Sequence, residues 1–166
     1  PAIGDWVASV KVDAFSGATP LALQKFEGVQ IDIMDMLLGT TAGSAGETSA
    51  LLILVCGLYL AARRMLDWRI PVLVMASAAG TAGIFYLVDP AVYPDPLFVL
   101  CSGGLMLGAW FMASDMVGSP VTPLGIVIYS LLIGIITVLI RLFGGLTEGV
   151  MYAILLGNAA TPLIDQ

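Results

Sequence analysis

Few residues of this chain are equipped for chemistry. The stretch Asp13-Ala14-Phe15-Ser16-Gly17-Ala18-Thr19-Pro20-Leu21 offers a hydroxyl on a backbone open to close approach, because Gly17 and Ala18 carry almost no side chain. Pro20 cannot continue a helix and biases Thr19 toward extended backbone. The sequence therefore predicts an exposed loop that presents the Thr19 hydroxyl, a modification acceptor in principle; taken alone, Ser16-Gly17-Ala18-Thr19 is an ordinary turn. Glu47, Asp115, Arg141 and Glu148 stand at the ends of apolar runs. Ionisable groups at membrane depth are functional candidates, but at helix ends they also complement the macrodipole. The preferred reading is an Arg141–Glu148 pair across a short loop, the alternative being that Glu47 or Glu148 lines an ion path. Cys56 and Cys101 lie in separate apolar runs without ligand spacing and read as small buried core residues. No catalytic residue and no metal ligand is assigned. With no His in the chain, an imidazole base or ligand is excluded.

The elements that must hold these residues are membrane helices. The chain is 59% hydrophobic and 11% charged, against about half and about a quarter in soluble proteins, and its mean hydropathy is +1.01. A net charge of −6 argues against nucleic acid as a partner, which needs a basic footprint. The first residue is Pro1, so a fragment or a processed product is expected. Residues 1–47 read as one unit: a possible strand over 7–12, the Thr19 loop, and a short apolar helix from Ile31 to Leu38, too short to span and so re-entrant or interfacial. Trp6 and Phe15 suit the headgroup level. The glycine-rich stretch 39–46 lacks a Walker pattern. Residues 48–166 read as a transmembrane domain of five spans, at about 47–66, 70–88, 97–112, 124–143 and 149–163. Thr48 or Ser49 can cap the first, Gly103, Gly104 and Gly108 let the third pack closely, and the fifth is short, and so either little tilted or broken near Pro162. Arg63, Arg64 and Arg69 crowd one tight turn, which the positive-inside rule places in the cytoplasm. Alternation then puts Thr19 on the extracytoplasmic side and Gln166 in the cytoplasm.

The motif Asp13-x-x-Ser16-Gly17-Ala18-Thr19-Pro20-Leu21 resembles the flavinylation motif of the Rnf and Na+-translocating NADH:quinone oxidoreductase families. The resemblance extends through Gly46-Glu47-Thr48-Ser49, Trp68-Arg69-Ile70-Pro71, Gly103 to Ala109, Phe111-Met112-Ala113, Ser119-Pro120-Val121-Thr122-Pro123, Arg141-Leu142-Phe143-Gly144-Gly145, Glu148-Gly149 and Pro162-Leu163-Ile164-Asp165. In that order these segments look like the C-terminal part of the Rnf-complex D subunit, more than the homologous quinone-reductase B subunit. Ser114-Asp115-Met116, Gly118 and Thr147 depart mildly from the family pattern. The resemblance implies a fold like the second half of a urea-channel-like inverted repeat, with five spans and a preceding flavin loop. It implies FMN joined through its phosphate to Thr19, with Ser16, Gly17 and Ala18 forming the rest of the attachment site. It implies an electron-transfer subunit of a redox-driven Na+ or H+ translocase in the bacterial inner membrane, without an independent catalytic site. The expected partners are the other Rnf subunits, flavin and iron–sulfur subunits among them, membrane lipid, and a flavin transferase for maturation. A small-solute channel or transporter without flavin is the rival reading, since broken helices and inverted repeats serve such proteins too.

Overall fold

A computed structural model of the chain describes residues 37–38, 49–90, 93–102, 104–144 and 148–165. Among the described residues regular structure is helical throughout, and no strand occurs. Helix α1 spans Ala50–Ala62, α2 Arg69–Val88, α3 Pro96–Cys101 and α4 Leu105–Leu107. A π turn over Gly108–Met112 continues α4. Helix α5 spans Pro123–Phe143 and α6 Val150–Ile164.

Local sequence explains the boundaries. Ser49 caps α1, its Oγ accepting the Leu52 amide at 3.3 Å, as its short hydroxyl side chain suits. The helix ends in a double bond pattern, Arg64 N–H to Ala61 O and Met65 N–H to Leu60 O, with Arg64 at φ 55, the left-handed closure of a Schellman motif. Helix α2 stops at Asp89, held extended (φ −152, ψ 94) ahead of Pro90, as a residue before proline prefers. Asp95-Pro96 and Thr122-Pro123 open α3 and α5 alike: a capping side chain, then proline at the first turn, where its missing N–H costs nothing. Pro162 sits inside α6, which runs on to Ile164 without breaking.

Among the described residues two helices, α2 at 20 residues and α5 at 21, are long and apolar enough to cross a membrane. Helices α1 and α6, at 13 and 15 residues, are apolar but shorter than the roughly 20 residues a span requires. The expected third span, 97–112, is not one helix. It breaks between Cys101 and Leu105 and resumes with Gly104 as the cap of the second half. Gly104 thus marks a break, whereas Gly108 packs closely as expected, a Cβ there lying 2.6 Å from Val150 Cγ2.

The core forms where α5 crosses α2 on one side and α6 on the other, around Val74, Ala78, Tyr129, Ile133, Val138 and Ala153, all sealed from solvent. At the α2–α5 crossing Gly134 lies against Ser77: a Cβ there would collide with Ser77 Oγ and come 2.8 Å from the Val74 carbonyl. Packing through small residues is how apolar helices associate when no water drives them together. The Ser77 hydroxyl spans the same crossing, near the carbonyls of its own turn (Val74 O, 2.9 Å) and of Ser130 (3.1 Å). Outward faces carry Leu52, Val55, Ile84, Leu124, Leu155 and other large apolar side chains exposed, the pattern expected where lipid or another apolar surface is the surrounding medium.

Candidate functional site

Ser16, Gly17, Ala18 and Thr19 lie outside the described residues, as do Trp6, Phe15, Glu47 and most of the 31–38 helix. What the structure builds is the interior downstream of them, organised at the two ends of α5.

At the C-terminal end stands Arg141. It lies in the last turn of α5, only 5% exposed, and crosses to the break in the third span. Its Nη1 donates to the Val99 carbonyl at 2.7 Å and its Nη2 to the Ser102 carbonyl at 3.2 Å. A broken helix at membrane depth frees backbone carbonyls that nothing in hydrocarbon can satisfy. The rigid guanidinium fork supplies two donors at once, and its positive charge suits the C-terminal ends of both α3 and α5. Both of these contacts reach back across the fold to residues about forty positions earlier. Beside them the Ser102 hydroxyl is sealed from solvent and has no hydrogen-bond partner among the described residues, as is true of the Ser130 hydroxyl and the Trp110 indole N–H. Buried polar groups of this kind are ordinarily met by ordered water. Trp110 itself is seated on α1: a Cβ on Gly57 would lie 2.5 Å from its ring.

At the N-terminal end stands Asp165. Its Oδ2 accepts the Val121 amide at 3.0 Å, and its Oδ1 accepts the Thr122 hydroxyl at 2.7 Å and the Thr122 amide at 3.3 Å. Thr122 Oγ1 in turn accepts the Gly125 amide at 3.2 Å, so carboxylate and cap form one chain of bonds. These bonds, the Thr122 hydroxyl foremost and the Val121 amide next, hold the Asp165 carboxyl below its ordinary value. Thr161 adds a second tie, donating to the Gly118 carbonyl at 2.9 Å. The end of α6 and the 113–122 loop therefore share one end of the bundle.

Between the two ends Tyr129, fully buried, donates to Asn158 Oδ1 at 2.6 Å. Asn158 and Asp115 lie at the polar end of a cleft of about 500 Å³, walled by Phe111 and Met112 of the π turn and by Met151 and Leu155 of α6. The π turn makes this wall. The Ala113 amide bonds back to Gly108 O at 2.7 Å, one residue further than in an α-helix, and such wide turns recur at functional sites. Cys56 is exposed and Cys101 half-buried, both as free thiols, so the reading of Cys56 as a core residue is corrected: it faces outward from α1. Sequence reasoning singled out Arg141 and Asp115 but missed Tyr129, Asn158 and Ser102. The available signal was a polar residue inside an otherwise apolar helix.

Comparison with known proteins places these elements. The pattern of the NQR2, RnfD, RnfE family matches residues 1–166. The chain is 43% identical, over 93% of its own length and 50% of the relative's, to a proton-translocating ferredoxin:NAD+ oxidoreductase complex D subunit of Clostridium ljungdahlii. It is 45% identical, over 93% of itself and 48% of the relative, to a Na+-translocating ferredoxin:NAD+ oxidoreductase complex D subunit of Acetobacterium woodii. With an ion-translocating oxidoreductase complex D subunit of Alcanivorax borkumensis the figures are 37%, 96% and 49%. The chain spans about half the length of the curated relatives it matches.

Proposed function

The chain belongs to the NQR2, RnfD, RnfE family, and from that premise we propose that it is part of a membrane subunit of an ion-translocating oxidoreductase complex, bearing FMN as a phosphoester on Thr19. The observation that carries this reading is a family match running the whole chain with Ser16-Gly17-Ala18-Thr19-Pro20 inside it. The donor chemistry fits. Thr19 supplies the single alcohol oxygen a phosphoester needs, Gly17 and Ala18 leave room for a transferase to approach, and Pro20 keeps the acceptor out of a helix. When bound, the flavin supplies the electron chemistry and the protein supplies its placement.

On this reading the subunit relays electrons in a chain coupled to Na+ or H+ movement and has no catalytic acid, base or nucleophile of its own. Relatives named for both a proton- and a Na+-translocating complex leave the ion open between those two. Partners are the other subunits, including flavin and iron–sulfur carriers, with a flavin transferase required for maturation. The subunit lies in the bacterial inner membrane. Arg63, Arg64 and Arg69 favour the cytoplasm for their turn, which sets Thr19 outside and the chain end inside. The apolar helices α2 and α5 supply the membrane-embedded part of this reading.

The test is intact mass and in-gel flavin fluorescence of the full-length protein, coexpressed with a flavin transferase, beside Thr19→Val. The expected result is an FMN-sized adduct in the parent and its complete loss in the variant. No adduct in the parent, with the transferase active on another substrate, overturns Thr19 as the acceptor and favours a solute-transport role.

A further inference from the structure

The cleft between the π turn and α6 has the two-part chemistry of a lipid seat. Its walls, Phe111, Met112, Met151 and Leu155, are apolar and outward-facing. They run beside α6 from Met151 to Asn158, about 10 Å at 1.5 Å per residue. Its far end is polar and of one sign. Asp115 is exposed there and, among the described residues, no Lys or Arg lines the cleft. Asn158 commits its Oδ1 to Tyr129, which leaves its amide N–H groups as donors on that wall. Asp115 lies three residues beyond the π turn, in the loop tied to the end of α6 through Thr161 and Asp165, so the polar end lies where the helices leave the apolar layer. An apolar trough with a lone carboxylate at its mouth suits an amphiphile with a cationic head and an acyl body.

We propose that this cleft binds one phosphatidylethanolamine molecule, its acyl chain along the Phe111–Leu155 wall, its ammonium on the Asp115 carboxylate and an ester or phosphate oxygen on the Asn158 amide. Charge complementarity selects this lipid over phosphatidylglycerol, which brings the same apolar body but no cation to meet Asp115. The proposal rests on the membrane placement of the reading above and not on the flavin.

The experiment uses the full-length protein in nanodiscs of equimolar phosphatidylethanolamine and phosphatidylglycerol, with co-purifying lipid measured after delipidating washes. The expected result is a preference for phosphatidylethanolamine of about fivefold, the upper range for a partly exposed ion pair. Asp115→Asn is expected to bring the preference close to one. Leu155→Trp, which fills the trough from its exposed side, is expected to lower retention of both lipids while membrane expression is unchanged. Equal retention of the two lipids by the parent, or a preference unaltered in Asp115→Asn, overturns the proposal. So does a Leu155→Cys variant that cross-links efficiently to another subunit, because protein then fills the trough. Release of the protein by alkaline wash overturns the membrane placement and the lipid with it, whereas loss of the FMN adduct alone leaves the lipid result standing.

Discussion

The two ends of α5 solve the same problem in opposite surroundings. At one end a cation, Arg141, meets carbonyls freed by a broken helix; at the other an anion, Asp165, meets amides and a hydroxyl at a helix start. Both charges agree with the dipole of α5, and they stand about 30 Å apart along its 21 residues. The difference is depth. Arg141 is sealed in the bundle, where a lost donor leaves the desolvation cost of its carbonyls uncompensated by bulk water. Asp165 closes the surface at the end of α6, where water replaces any bond it gives up. The comparison teaches that charge at a helix terminus is worth what its burial makes it worth, and that the buried terminus is the one the fold depends on.

The sharpest way to break the comparison is Arg141→Met. Removing the fork strands two buried carbonyls, and a loss of about 2–5 kcal/mol is expected, read as a lowered unfolding midpoint in detergent. Arg141→Lys retains the charge but not the two-pronged geometry, so recovery of only part of that loss is expected. If Lys restores everything, charge alone holds the break and the carbonyl contacts are incidental.

Next in size is Gly134→Ala, halfway along the same helix. It carries no charge and tests whether depth by itself sets the cost. Its Cβ must displace Ser77 or the α2 backbone, and about 1–3 kcal/mol of destabilisation is expected from overpacking. An unchanged midpoint would mean that α2 and α5 separate at little cost.

Tyr129→Phe is smaller. It leaves the shape of the core intact and removes one donor from Asn158, for an expected loss of about 1 kcal/mol. It also sharpens the contrast between ends, because it weakens the wall next to the Asp115 cleft without touching Arg141.

The smallest effect belongs to Asp165→Asn, with a pH signature as its mark. The carboxyl is held below its ordinary value of 3.8, so its contribution is fully present above that value and is lost as pH falls through the lower folded value. Faster amide exchange at Val121 and Thr122 is therefore expected only below about pH 4, and the Asn variant is expected to lack that acid step. Acid loosening that persists in the variant would assign it to another carboxylate.

Much of the helix placement was legible along the chain. Runs of apolar residues located α2 and α5, the expected starts at about 97 and 124 fall within a residue or two of the observed ones, and Ser49 was a nameable cap, because each is decided by residues within a turn of one another. At Pro162 the chain left two readings open, a short span or a break, and α6 continues through it as a short helix of 15 residues. The break in the third span was not legible as such. Gly103-Gly104 reads equally as a packing face and as a place to stop, and the choice was made by Arg141, some forty residues on, which satisfies the carbonyls a break exposes. Likewise the Tyr129–Asn158 bond and the Asp115 cleft depend on α6 returning beside α5, and nothing local records that return.

The sequence by itself determined that this is a chain of apolar helices, and which family it belongs to, because composition, caps and motif order are properties of neighbours on the chain. Only the tertiary structure decided which polar groups meet. A guanidinium reaching two carbonyls, or a carboxylate closing a distant cap, is fixed by how helices cross, and crossings are set by packing between residues the chain holds far apart.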